Sequence, residues 1–150
     1  MPRLSDKSLL AIAAVVDVAL HARGTPVAAK ALAARHNLPP RHLEPVLQAL
    51  VHAGVLKGVR GPRGGYELAR ERRRISVAEV ARVVEAEGED ALDDFPSLVR
   101  EVVQPAVAEA ERTFEAALEG VTIEELCRTA SRKAAEDGRR TSAEGIDFTI

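Results

Sequence analysis

The residues best suited to chemistry in this 150-residue chain are cations and hydrogen-bonding groups gathered at two places. The first is Pro40-Arg41-His42-Leu43-Glu44, with Gln48 one helical turn further on. On one helix face these types can read base edges, since arginine bonds guanine or a phosphate, glutamate accepts from a cytosine amino group, and glutamine bonds adenine. The second is Val59-Arg60-Gly61-Pro62-Arg63-Gly64-Gly65-Tyr66, in which Arg60 and Arg63 flank a glycine-rich tip. Glycines allow the backbone close to another surface, and arginine suits the strong negative potential of a narrow minor groove. The plainer alternatives are a solvated helix face and a surface loop with incidental charge. A nucleotide-binding P-loop is disfavoured, because no Lys-Ser or Lys-Thr follows Gly64-Gly65 and the segment does not lead from a strand into a helix. Lys7 is a further candidate polyanion contact. Arg70, Arg72, Arg73 and Arg74 add phosphate attraction without reading sequence, or form a solvated charge run.

The elements that must position these groups follow from punctuation and periodicity. Leu9, Ile12, Ala13, Val16 and Leu20 recur at helical spacing and mark an amphipathic core helix; Asp17 interrupts the apolar run, which is too short for a membrane span and has no clean cleavage site after it. Thr25-Pro26 reads as a helix start, with the helix running to about His36. Asn37-Leu38-Pro39-Pro40 forces a turn. Leu43, Val46, Leu47 and Leu50 then mark the apolar face of a second short helix, which Gly54 ends. Val55 to Arg60 and Tyr66 to Ala69 read as two strands of a hairpin around the glycine-rich turn. The fold class predicted is mainly α with a small β-hairpin, a winged helix-turn-helix followed by a long C-terminal dimerisation helix.

Ser76-Val77-Ala78-Glu79 and Thr122-Ile123-Glu124-Glu125 are capping boxes that open two later helices, the second predicted to end at Gly138. Between them Val99, Val103, Ala106, Ala110, Phe114 and Ala117 lie close to a coiled-coil spacing and form the candidate pairing seam. Pro105 within it predicts a kink or break near Glu101 to Gln104. The expected organisation is a DNA-binding unit over residues 1–85, an acidic loop and dimerisation helices over 86–137, and a mobile tail over 138–150.

Charge supports this division. Residues 1–75 carry 13 Lys+Arg and 5 Asp+Glu, a net of +8, whereas residues 76–150 carry 8 and 18, a net of -10. Only the first half is therefore expected to meet a polyanion. With a single cysteine, Cys127, the chain can form no internal disulfide and no all-cysteine metal site, and a reducing, cytoplasmic setting fits. Cys127 reads as a small core residue, with a redox-sensing thiol as the alternative. His21, His36, His42 and His52 lack metal-ligand spacing and read as structural or DNA-facing. Glu85, Glu87, Glu89, Asp90, Asp93 and Asp94 are the right type for a hard cation, but a solvated loop that repels misplaced DNA is the favoured reading. No catalytic triad, zinc motif or paired-carboxylate site is present, so no enzymatic activity and no cofactor are expected.

Leu4-Ser5, the Pro40-Arg41-His42-Leu43-Glu44 helix start, Ala53-Gly54-Val55-Leu56, and above all Val59-Arg60-Gly61-Pro62 with Gly64-Gly65-Tyr66 resemble the Rrf2 family of bacterial transcription regulators. The resemblance is close over roughly residues 3–85 and looser in the long helix and in Val121 to Leu126. It implies a homodimer, usually a repressor, that binds a near-palindromic operator in double-stranded DNA. The long helix would pair the subunits, Arg60 would read the minor groove, and Glu44 would be the base-reading glutamate. Cluster-binding members carry three cysteines in the stretch corresponding to Glu85–Leu98, where this chain has none, so no iron–sulfur cluster of that kind is expected. Pro45 and Arg63 also depart from the family pattern, standing where a polar residue and a glycine are common. The alternatives are a regulator switched by a small-molecule effector or through Cys127, and a winged-helix adaptor that binds protein.

Overall fold

A computed structural model describes residues 4–85 and 95–147. The chain opens with α1 (Asp6–His21), where Ser5 caps the helix by accepting a hydrogen bond from the Ser8 amide at 3.1 Å. Two short helices follow, α2 (Ala29–Arg35) and α3 (Pro40–His52), then the strands β1 (Leu56–Val59) and β2 (Gly65–Leu68). The strands pair antiparallel, from Leu56 opposite Leu68 to Val59 opposite Gly65. A short 3-10 turn (Arg72–Arg74) leads to α4 (Val77–Glu85); a π-helical turn (Val99–Val103), α5 (Gln104–Glu119) and α6 (Ile123–Asp147) complete the described chain.

The helix-turn-helix forms as its punctuation predicts. Asn37 adopts a left-handed φ of 54° between α2 and α3, and Pro40 occupies the first turn of α3, where a missing amide costs nothing. Gly54, at φ 79°, closes α3 in the left-handed conformation that favours glycine, and the Val55 amide returns to the Leu50 carbonyl at 3.0 Å. Pro45 is accommodated inside α3.

Thr25-Pro26 does not start α2, contrary to expectation. Val27, the next residue, pairs with Tyr66 through two backbone hydrogen bonds of 2.9 and 2.8 Å, so the α1–α2 connection is recruited as a third strand segment beside the hairpin. The helix begins at Ala29, with no side-chain cap.

One core unites these parts. Ala11, Val15 and Val18 of α1, Leu32 of α2, Leu43, Leu47 and Leu50 of α3, Leu56 of β1 and Val80 of α4 are buried together. The start of α6 returns to the same core with Ile123 and Cys127, guided by backbone bonds from Val77 to Val121 at 2.8 Å and from Ile123 to Ile75 at 2.9 Å.

Both capping serine and threonine act as caps: the Glu79 amide donates to Ser76 Oγ at 3.1 Å and the Glu125 amide to Thr122 Oγ1 at 3.2 Å. The Glu79 carboxylate does not complete the first box, since it pairs with Arg70. The disturbance expected from Pro105 is found just upstream, as the wide turn over Val99–Val103; a proline cannot donate to the carbonyl four residues earlier, and the widened turn absorbs the mismatch. α6 corrects a second expectation by running through Gly138 to Asp147, so a helix continues where a tail was predicted. Glycine inside a helix costs about 1 kcal/mol relative to alanine. Ala134, Ala135, Glu136, Arg139 and Arg140 around it are strong helix formers that offset this.

Candidate nucleic-acid interface

α3 presents two faces. Leu43, Val46, Leu47 and Leu50 are buried, while Arg41, His42, Glu44 and Gln48 are exposed on the other side. The hairpin carries Arg60 and Arg63 exposed at its tip, with Gly64, Gly65 and Tyr66 half-buried behind them. Gln48 Nε2 donates to the Tyr66 hydroxyl at 3.3 Å, and one cleft is lined jointly by Gln48, Val51, Val59, Arg60 and Tyr66. The structure thus brings Gln48 of α3 together with Arg60, Gly65 and Tyr66 of the hairpin at one cleft, and leaves Arg41, His42, Glu44, Arg63 and Gly64 outside its lining. Lys7 lies apart from them in sequence and element, exposed in the first turn of α1.

Gly64 and Gly65 have an internal reason to be glycine. A Cβ on Gly64 would lie 2.2 Å from the Val59 carbonyl oxygen, and one on Gly65 would lie 2.3 Å from that of Val27. The first clash is inside the hairpin; the second is with the strand segment at Val27. The tip is therefore built by close backbone contact within the chain.

Electrostatics separate the cations into two sets. Arg70 pairs with Glu79, Arg72 with Glu124, and Arg73 and Arg74 with Glu71. These four, expected as phosphate attractors or a solvated run, are held by carboxylates of their own chain. Among the described residues Arg41, Arg60 and Arg63 have no ion-pair partner. On α3 and the hairpin tip these three charges are left for an external anion, as Arg23 and Lys30 are elsewhere on the surface.

A buried charged cluster escaped the sequence reading. Asp17, 4% exposed, accepts from Arg35 Nη2 at 2.6 Å and Nε at 2.9 Å, and from His36 Nε2 at 2.8 Å. Burial pushes the Asp17 carboxyl up, but the hydrogen bonds from Arg35 and His36 outweigh this and hold it below its ordinary value. An acid on the buried face of α1, between Val15 and Val18, was the available signal, because such a group demands a cationic partner.

Of the predicted seam, Val103, Ala106 and Ala110 are exposed and Val99 and Phe114 half-buried. No residue of α5 is fully buried, and Leu98, Val102, Val103 and Val107 are exposed large apolar side chains along the same stretch. Cys127 lies in the core, where burial pushes its thiol up and away from the reactive thiolate. This favours the packing reading over the redox one. Of the acidic residues considered for a cation, Glu85 is bonded to Ser5 and Ser8, at 3.0 Å to the Ser5 amide and 2.7 Å to the Ser8 hydroxyl; the others lie outside the described residues. No described helix is long and apolar enough to cross a membrane.

Comparison with known proteins gives this surface its context. Residues 4–129 match the family model Rrf2, described as iron-dependent transcriptional regulator. A Synechocystis sp. protein described as an HTH-type transcriptional regulator, slr0846, is 32% identical over 155 residues, covering 99% of each chain. IscR of Xenorhabdus nematophila is 40% identical over 83 residues, which span 55% of this chain and 51% of that protein. Among solved structures, T. potens IscR superposes with a TM-score of 0.69 at 32% identity, covering 86% of this chain and 88% of that one. CymR, the global cysteine regulator of B. subtilis, gives 0.66 at 27% identity, covering 86% and 98%.

The iron in the family's description does not find cysteine ligands here. The single thiol is buried in the core, and among the described residues no three His, Cys, Asp or Glu side chains converge to hold a metal. A cysteine-ligated iron–sulfur cluster does not fit this chain. The family model and the relatives nonetheless show that the chain belongs to the Rrf2 family of bacterial helix-turn-helix transcription regulators.

Proposed function

We propose that the chain acts as a homodimeric repressor that occupies a near-palindromic operator. α3 enters the major groove, where Arg41, His42, Glu44 and Gln48 meet base edges and phosphates, and the hairpin follows the backbone into the adjacent minor groove with Arg60 and Arg63. Lys7 adds a phosphate contact. The single observation that carries this reading is the joining of α3 and the hairpin at one cleft by Gln48 and Tyr66, with the unpaired Arg60 in its lining. The exposed apolar row over Leu98–Val107, together with Val99, Ala106, Ala110 and Phe114, supports pairing through the π turn and α5. Two copies of the surface would then face half-sites about 34–36 Å apart on one side of the duplex.

Selection of duplexes from a random-sequence pool by the purified chain, followed by gel-shift titration over a salt series, tests this. The expected result is a palindromic consensus and a log–log salt slope of about -0.9 per phosphate neutralised. Arg60→Ala is expected to weaken binding and to relax the preference for A·T-rich flanks. Salt-independent binding, or no enrichment over the starting pool, would refute the reading.

A further inference from the structure

α2 has little of its own to hold it in place. It is seven residues long, lacks a side-chain cap, and buries only Leu32 and Ala33. A helix of this length is not stable by propensity, so its position is set by what grips its two ends. The front grip is the Val27–Tyr66 backbone pair, which ties the approach to α2 to the hairpin. The rear grip is Asp17, which takes two bonds from Arg35, the last residue of α2, and one from His36, the next residue. His21, from the same helix as Asp17, lies 3.5 Å from the carboxylate and donates to the Asp17 carbonyl at 2.9 Å. Immediately beyond His36 the chain turns at Asn37 and Leu38 and enters α3.

An ion cluster at the rear grip does something that packing alone would not. Well-packed apolar side chains serve stability as well as a buried ion pair does. A two-pronged arginine–carboxylate contact adds a fixed direction as well as a fixed distance. We propose that Asp17 is a positioning residue for DNA recognition: by fixing the rear end of α2 it sets where α3 and the hairpin stand relative to one another. Asp17 itself need not touch DNA. The inference rests on the DNA-binding reading above, and it adds a residue outside the reading surface on which that surface depends.

The test uses the full chain and the tightest duplex recovered by selection with the unaltered protein. Tyr66 is the sole tyrosine and there is no tryptophan, so intrinsic fluorescence reports on the hairpin alone. Asp17→Asn and Arg35→Met are each expected to stay helical, to bind the duplex about tenfold more weakly, and to leave Tyr66 more accessible to acrylamide quenching. Combining them should add no more than about twofold, as residues acting through one contact do. A merely stabilising role would move neither the affinity of the folded fraction nor the Tyr66 signal. A folded Asp17→Asn variant with the affinity of the unaltered chain, or with its Tyr66 quenching, overturns the proposal. Should Asp17→Asn fail to fold, His36→Ala removes one donor and leaves the arginine pair; weaker binding with a more accessible Tyr66 then supports the proposal, and no change in either overturns it. If the unaltered chain selects no duplex, the DNA reading falls, while an unchanged Tyr66 signal in the variants separately refutes the tether.

Discussion

Replacing Gly65 by alanine places a methyl group where the chain has no room for one. The new Cβ would sit 2.3 Å from the Val27 carbonyl oxygen, 2.5 Å from its carbon and 2.7 Å from the Ala28 nitrogen, all backbone atoms that no rotamer change can move. Reaching an ordinary contact requires β2 and the Val27 segment to separate by about 1 Å. The Val27–Tyr66 hydrogen bonds, now 2.9 and 2.8 Å, would stretch to about 4 Å and cease to be bonds. Two backbone bonds at about 0.5–1.5 kcal/mol each put the loss at about 1–3 kcal/mol. For a chain of this size that corresponds to a melting temperature lower by about 2–12 °C. Gly58→Ala is the matched control, since its added Cβ meets nothing within 4 Å and β1 keeps its pairing; it should stay within about 0.5 kcal/mol of the unaltered chain. Urea titrations of both variants at one protein concentration, with Tyr66 fluorescence as the probe, make the comparison. Equal midpoints for the two alanines would refute the claim that the hairpin is seated on Val27 by close backbone contact.

Three further outcomes follow from the geometry. Because the folded state holds the Asp17 carboxyl below its ordinary value, its stabilising contribution is complete above about pH 4 and is lost as pH falls through the depressed value. Asp17→Asn should therefore lose less stability than the unaltered chain between pH 5 and pH 3, in denaturant midpoints taken across that range; parallel curves would contradict this. Cys127 should react with a disulfide reagent at pH 8 only as fast as the core opens, and urea should accelerate the labelling by orders of magnitude; labelling of the native chain at the unfolded rate would show the thiol to be accessible. Val102, 59% exposed, lies in the apolar row proposed for pairing, so on that proposal the unaltered chain should be a dimer by light scattering and Val102→Glu a folded monomer. An unchanged mass would move the interface elsewhere.

Much of the helix-turn-helix was legible because its boundaries are set by local chemistry. Asn37, Pro39, Pro40 and Gly54 act on their own backbone and need no distant partner. The glycine-rich turn was legible for the same reason, and the exposed positions Arg41, His42, Glu44, Gln48, Arg60 and Arg63 followed from helix and hairpin geometry. What was not legible depends on residues far apart in the chain. Val27 becomes a strand segment only because Tyr66 arrives beside it, a pairing over 39 positions that local propensity cannot register. Asp17 read as a break in an apolar run, and its meaning depended on Arg35 and His36, whose approach is tertiary. The arginines after the hairpin looked like a free basic run until Glu71, Glu79 and Glu124 were brought against them. Gly138 misled in the opposite way: the local signal for a helix stop was present, and the neighbouring helix formers overrode it.

The return of Ile123 and Cys127 to the N-terminal core bears on how such regulators can be recombined. A chimera that joins residues 4–85 to a foreign pairing module would lose the Val77–Val121 and Ile123–Ile75 bonds and open a hole where Ile123, fully buried, had been. Grafts that carry residues 121–127 along with residues 4–85 would keep that plug in place. The seam for domain shuffling in this protein therefore lies within α6, and the stretch of sequence after α4, despite its position in the chain, is the wrong place to cut.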